Sequence, residues 1–118
     1  MIEIPWPAPA LWPNFRSRSH WPKTRALKVA RQYGFYAAKE ARVGVVAADL
    51  PIRLAITVYP RSSRRQCQPD KDAVTAALKP YFDGIADALN VNDRAFEPQP
   101  PVYAEPVTGG RITIEVMG

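Results

Sequence analysis

The 118 residues predict one small α/β domain of the α+β kind: a mixed β-sheet of about four strands with two helices, in the order β-α-β-α-β-β. Three observations predict it. Apolar and polar residues alternate over 52–59 and 111–117, apolar residues recur at helical spacing over 22–41 and 72–89, and Pro and Gly cluster between these stretches. A chain of this length has room for one core, so residues 1–118 are read as a single domain.

Met1–Pro5 reads as a short strand with Ile2 and Ile4 pointing one way. Pro5, Pro7, Pro9 and Pro13 then deny regular hydrogen bonding, which predicts an extended loop from Trp6 to Asn14. Pro22 suits the first turn of a helix reaching about Ala41. Its expected inner stripe is Leu27, Ala30, Gly34, Ala37 and Ala41, with Lys28, Arg31, Lys39 and Arg42 opposite. Ile52, Leu54, Ile56 and Val58 give the second strand one apolar face, and a basic loop, Arg61 to Arg65, follows. A second helix is expected from Asp72 to Leu89, with Val74, Ala77, Leu78, Tyr81, Ile85 and Leu89 inward. Pro80 removes a hydrogen bond to the carbonyl of Ala76 and is expected to kink or divide this helix. Val102–Pro106 and Arg111–Met117 are expected to pair as a hairpin turning at Thr108-Gly109-Gly110.

The net charge of +5 is unevenly spread. Residues 1–67 carry 12 Lys and Arg against 3 Asp and Glu, and residues 68–118 carry 4 against 8. Two readings follow: halves that attract one another during folding, or a polyanion-binding surface beside carboxylates that need cations. The single cysteine, Cys67, cannot form an internal disulfide, which fits a reducing cytoplasm and an incidental thiol. No apolar run approaches the ~18 residues of a membrane span, and the amino terminus lacks the pattern of an export signal.

Chemistry concentrates between Asp70 and Asp93. At ~100° per residue, Lys79 and Asp83 each fall about 20° from Asp72, giving one narrow polar face opposite the apolar stripe. Hard divalent cations are held by carboxylates with waters completing the shell, and such an ion activates water and offsets charge on a phosphate. A nearby lysine supplies a point charge. The plainer reading is that Asp70 or Asp72 caps a helix start and that Lys79 and Asp83 form an ordinary i,i+4 pair.

The order of these residues resembles the signature of RusA-family Holliday junction resolvases, especially phage and prophage members: Asp70, Asp72, Lys79-Pro80, Asp83-Gly84 and Asn92-Asp93. The opening Ile4-Pro-Trp-Pro7, Pro13-Asn14, Arg18, His20-Trp21 and Lys23 is similar to the family's first loop and helix, and Val107-Thr-Gly-Gly-Arg111 to its last turn. The resemblance implies a homodimeric, cytoplasmic, Mg²⁺-dependent endonuclease (Mn²⁺ as a substitute) that cuts four-way or branched DNA. It implies Asp70, Asp72 and Asp93 as metal-binding catalytic carboxylates and Lys79 as the catalytic lysine, with Asp83 and Asn92 in support. Two positions depart from the pattern: Ala73 stands where the family has Asn, and Asn92 where it has Asp. A branched-DNA-binding protein with weakened catalysis is the alternative.

Binding to phosphates is driven largely by counterion release. The candidate contacts are Arg16, Arg18, Lys23 and Lys28 in the first basic run and Arg61, Arg64 and Arg65 in the loop before the aspartates. A solvated helix face and an ordinary basic loop are the structural alternatives. Trp6, Trp12 and Trp21 are expected to pin the Pro-rich loop or build an interface rather than to stack on bases.

Overall fold

The computed structural model describes residues 1–13, 21–41, 51–64 and 68–117. Its elements are β1 (Ile2–Pro5), a 3-10 turn (Pro9–Leu11), α1 (Trp21–Glu40), β2 (Ile52–Tyr59), α2 (Lys71–Leu89), a second 3-10 turn (Asp93–Ala95), β3 (Phe96–Pro98), β4 (Val102–Tyr103) and β5 (Arg111–Met117). The fold is α+β, two helices on a mixed five-stranded sheet, one short strand more than the sequence pattern gives.

β2 is the axis of the sheet. β5 lies antiparallel along one side, with Ile56 opposite Ile114, and β1 continues the sheet outward with Ile2 opposite Ile114. Along its other side β2 takes β3 and then β4, both parallel, with Ile52 opposite Phe96 and Thr57 opposite Val102. Pro98, Pro100 and Pro101 cannot donate to a ladder, which breaks this edge into two short pieces. Gln99 and Ala104 still donate backbone N–H groups to the carbonyls of Leu54 and Val58.

The expected terminal hairpin does not form. β4 and β5 flank β2 on opposite sides instead of pairing. Both edges of β5 are already taken, by β1 and β2, so Val102–Pro106 has no free ladder to join there. The turn carries the chain across the end of β2: Val107 donates to Pro60, Gly110 to Val107, and Gly109 and Gly110 supply φ of +81° and +72°.

One sheet face is the core. Ile2, Ile4, Ile52, Leu54, Ile56, Val58, Ile112 and Ile114 are buried beneath Val74, Ala77, Leu78, Tyr81, Phe82 and Ile85 of α2 and Ala30 and Ala38 of α1. The α2 stripe is thus the expected one, with Leu89 only partly buried. On α1, Leu27 is exposed and Ala38 faces inward, because the buried stripe continues from Ala30 and Gly34 to Ala38. Arg31 is not on the side opposite the core but on the flank facing α2, where it meets Asp87.

The two helices touch through glycine. A Cβ on Gly84 would lie 2.0 Å from the carbonyl oxygen of Arg31, and one on Gly34 would lie 2.4 Å from that of Tyr81. Each helix therefore offers the other a backbone surface where no side chain fits. Pro80 does not divide α2, which runs unbroken from Lys71 to Leu89. Pro80 is itself buried, and core residues Val74, Ala77, Leu78, Tyr81 and Ile85 on both sides of it outweigh the one lost hydrogen bond. Asn90 ends the helix at φ 56°, ψ 43°, the left-handed geometry that asparagine tolerates.

Candidate functional site

Asp70 is the N-cap of α2: its side chain accepts a hydrogen bond of 3.0 Å from the backbone N–H of Ala73. Asp72 lies in the first turn, where a negative charge complements the helix N-terminus. Tyr103 fastens this end by donating its hydroxyl to the carbonyl of Pro69. Burial raises the Tyr103 phenol above its ordinary range, and the charge of Asp70 adds to that.

Asp93 stands elsewhere. It opens the 3-10 turn after α2, which Asn92 caps by accepting from the backbone N–H of Arg94 at 3.0 Å. This brings Asp93 beside Asp83 of α2, the two lining the same clefts. With a rise of ~1.5 Å per residue, Asp83 lies about 16 Å along the helix from Asp72. Asp70, Asp72 and Asp93 accordingly do not form a three-carboxylate group, and no cluster of three His, Cys, Asp or Glu occurs among the described residues. The carboxylates that do meet are Asp83 and Asp93, from separate stretches of chain.

Two adjoining clefts share this pair. One, of about 330 Å³, is walled by Arg31, Asp83, Ala86, Asp87, Val91, Asn92 and Asp93. The other, of about 290 Å³, is walled by Thr75, Lys79, Phe82, Asp83, Asp93, Arg94, Phe96 and Pro98. Lys79 therefore shares a cleft with both carboxylates, as the helical spacing of Asp72, Lys79 and Asp83 suggests for two of the three. Arg31 closes the first cleft by a bidentate pair to Asp87, at 2.8 and 3.1 Å. That pair holds the Asp87 carboxyl below the usual carboxylate range. Nothing in the local sequence spacing points to it, because the partners stand on different helices.

Asp83 holds its proton more tightly than an ordinary aspartate. Desolvation is the main cause, followed by the hydrogen bond with and the like charge of Asp93, and Arg31 and Lys79 oppose both. A carboxyl with a raised folded-state pKa favours folding below its unfolded pKa and loses that contribution as pH rises through the folded value. At pH 7 the ionised pair is thus a cost. Asp83→Asn is expected to raise stability in metal-free buffer at pH 7 by on the order of 0.5 kcal/mol, since the site is largely solvated. The gain should vanish near pH 3, and thermal melts of both proteins across pH check it.

Of the candidate DNA contacts, Lys23 and Lys28 are exposed on α1, and Arg61 and Arg64 are exposed in the loop after β2. Arg61 lies over the Trp6 ring at 5.6 Å, and Trp6 stacks on Trp12 at 5.4 Å, so both tryptophans pin the Pro-rich segment as expected. Trp12 also donates its indole N–H to the carbonyl of Pro7. Arg16, Arg18, Arg65, His20 and Cys67 lie outside the described residues, as do Asn14 and Arg42, and nothing describes the side chain of Trp21. No described helix is long and apolar enough to cross a membrane.

No family model matches the chain. Among curated proteins it is similar to an uncharacterized protein of Xylella fastidiosa, 38% identical over 122 residues that take in 99% of this chain and 75% of the relative.

Proposed function

We propose, for a chain that belongs to the same family as the Xylella fastidiosa protein, a Mg²⁺-dependent endodeoxyribonuclease acting on four-way or branched DNA. The observation that carries the reading is that Asp83 and Asp93 line one cleft together with Lys79. The donor set fits a hard cation: Mg²⁺ is commonly held by one or two carboxylates, with waters and substrate phosphate completing the shell. Asp83 and Asp93 would hold the ion, which when bound supplies an activated water and neutralises phosphate charge. Lys79 faces the same cleft and offers a fixed positive charge to a phosphate oxygen. Arg31 orients Asp87 and, through its charge, favours ionised Asp83. Asp70 and Asp72 act at the start of α2, steadying the helix that presents the other groups.

A branched-DNA-binding protein with weakened catalysis is the second reading. It is favoured by Asn92, whose amide oxygen is engaged in capping the turn where the resemblance has a second aspartate. A synthetic four-way junction separates the two. The nuclease converts it to nicked duplexes in Mg²⁺ or Mn²⁺ and leaves it intact in EDTA, whereas the binding protein retards the junction without cutting under either condition. Retardation should weaken steeply between ~50 and 200 mM salt, because Lys23, Lys28, Arg61 and Arg64 would act by displacing counterions. Equal product with and without the metal overturns the metal-dependent reading.

A further inference from the structure

A hollow of about 440 Å³ opens between the edge strand β1 and the outer flank of α1. It shares no lining residue with the clefts of Asp83 and Asp93. Met1 and Glu3 wall it on the strand side, and Tyr33, Tyr36, Ala37 and Glu40 on the helix side. The four helix residues follow the i, i+3, i+4, i+7 spacing that places side chains on one face. Tyr33 is 43% exposed and Tyr36 68%. Each ring is nevertheless braced from outside the hollow, Tyr33 edge-on to Tyr81 at 6.2 Å and Tyr36 edge-on to Phe35 at 5.2 Å.

The charge of this hollow runs against its surroundings. Residues 1–67 hold 12 Lys and Arg but only three acids, and two of those three, Glu3 and Glu40, line it. Arg111 engages one oxygen of Glu3 at 2.7 Å, while Glu40 has no ion pair among the described residues. The α-amino group of Met1 pairs with neither carboxylate, and Lys39 is turned to the Phe35 ring, 5.6 Å from its centre. Ala37 and Glu40 also belong to the last turn of α1, the negative pole of that helix. Tyrosine faces attract cations as well. Carboxylates, helix pole and rings thus favour the same sign of charge. A hard metal ion gains nothing from the rings, anions are repelled, and a neutral apolar molecule would strip water from two carboxylates without return. A linear alkyl diamine answers every wall, its ammonium groups meeting the carboxylates and its methylenes meeting the rings, Ala37 and Met1.

We infer that this hollow binds a linear di- or polyamine, with one ammonium on Glu40, a second on the oxygen of Glu3 that Arg111 leaves open, and the carbon chain across Tyr33 and Tyr36. The whole chain carries +5, so a polycation is held here by local complementarity and not by the field of the protein. The carboxylates are solvated, which sets a modest Kd, on the order of 0.1–1 mM at low salt. The site is independent of the nuclease reading: a failure to cut junctions leaves it standing, and a failure to bind amines leaves cleavage untouched.

Two-dimensional amide NMR of the whole chain, titrated with the five-carbon diamine cadaverine in metal-free, low-salt buffer at neutral pH, tests it. Amide shifts should saturate and centre on Glu3, Tyr33, Tyr36, Ala37 and Glu40. Pentylamine, which has the same carbon chain and a single charge, should bind about tenfold more weakly. Glu40→Gln should bring the diamine down to the affinity of the monoamine, and Tyr36→Ala should weaken both amines by about threefold. Both side chains are exposed, and circular dichroism verifies that each variant keeps its helices. Shifts confined to Asp83, Asp87 and Asp93 would make the diamine a counter-ion of α2 and overturn the proposal. Equal affinity for diamine and monoamine does the same, as does a titration that shows no saturation up to ~20 mM.

Discussion

Gly84→Ala is expected to destabilise the domain by about 2–3 kcal/mol and to lower its melting temperature by about 10 °C. The new methyl would lie 2.0 Å from the carbonyl oxygen of Arg31 and 2.8 Å from the backbone nitrogen of Phe35, both main-chain atoms of α1. Neither can turn aside as a side-chain tip can, so the helices must separate and loosen the packing of Ile85 and Ala30 on either side. The intrinsic gain of ~1 kcal/mol from replacing glycine in a helix offsets only part of this. Gly109→Ala serves as the comparison: no atom lies within 4 Å, and the cost comes from its φ of +81° alone, on the order of 1 kcal/mol. Urea titration followed by circular dichroism measures both, and equal midpoints for Gly84→Ala and wild type would mean that the helices are not in backbone contact.

Asp93→Asn is expected to reduce Mg²⁺-dependent junction cleavage by roughly 100-fold or more, the scale on which loss of one well-placed electrostatic group acts. The substitution keeps the size of the side chain and its exposed position on the 3-10 turn, so stability should change little. Lys79→Ala should lose a comparable factor, since it removes the fixed charge from the cleft that Asp83 and Asp93 line. Asp87→Asn breaks the pair with Arg31 on the far side of Asp83 and should leave the rate near the wild-type value. Single-turnover cleavage by the four proteins distinguishes the groups. A loss with Asp87→Asn as deep as with Asp93→Asn would move the reacting centre to the Arg31 cleft.

Much of the fold was legible because burial follows local period. The alternation of Ile52, Leu54, Ile56 and Val58 and the helical spacing of Val74, Leu78, Tyr81 and Ile85 each identify a buried face from neighbours in the chain. What was not legible depends on competition between distant segments. Val102–Tyr103 carries no signal for β2 as its partner rather than β5, since both offer a ladder and only the occupancy of β5 by β1 decides. Gly34 and Gly84 read as tolerated helix residues until the opposing backbones of Tyr81 and Arg31 explain them.

The site was legible as a set of residue types and less so as an arrangement. Lys79, Asp83 and Asp93 belong together in one cleft, yet spacing alone groups Asp83 with Asp72 and gives Asp93 no address. The path of the chain after Asn90 decides that: a left-handed cap and an Asn92-capped turn bring Asp93 back beside Asp83, while the two earlier aspartates remain at the opposite end of the helix.

The margins of the sheet carry a consequence for behaviour at high concentration. On one side the outermost strand is four residues long and ends at Pro5, and on the other Pro98, Pro100 and Pro101 interrupt the row of donors. Short, proline-broken borders offer little backbone for another strand to zip onto, which guards against open-ended ribbons and fibres at high concentration.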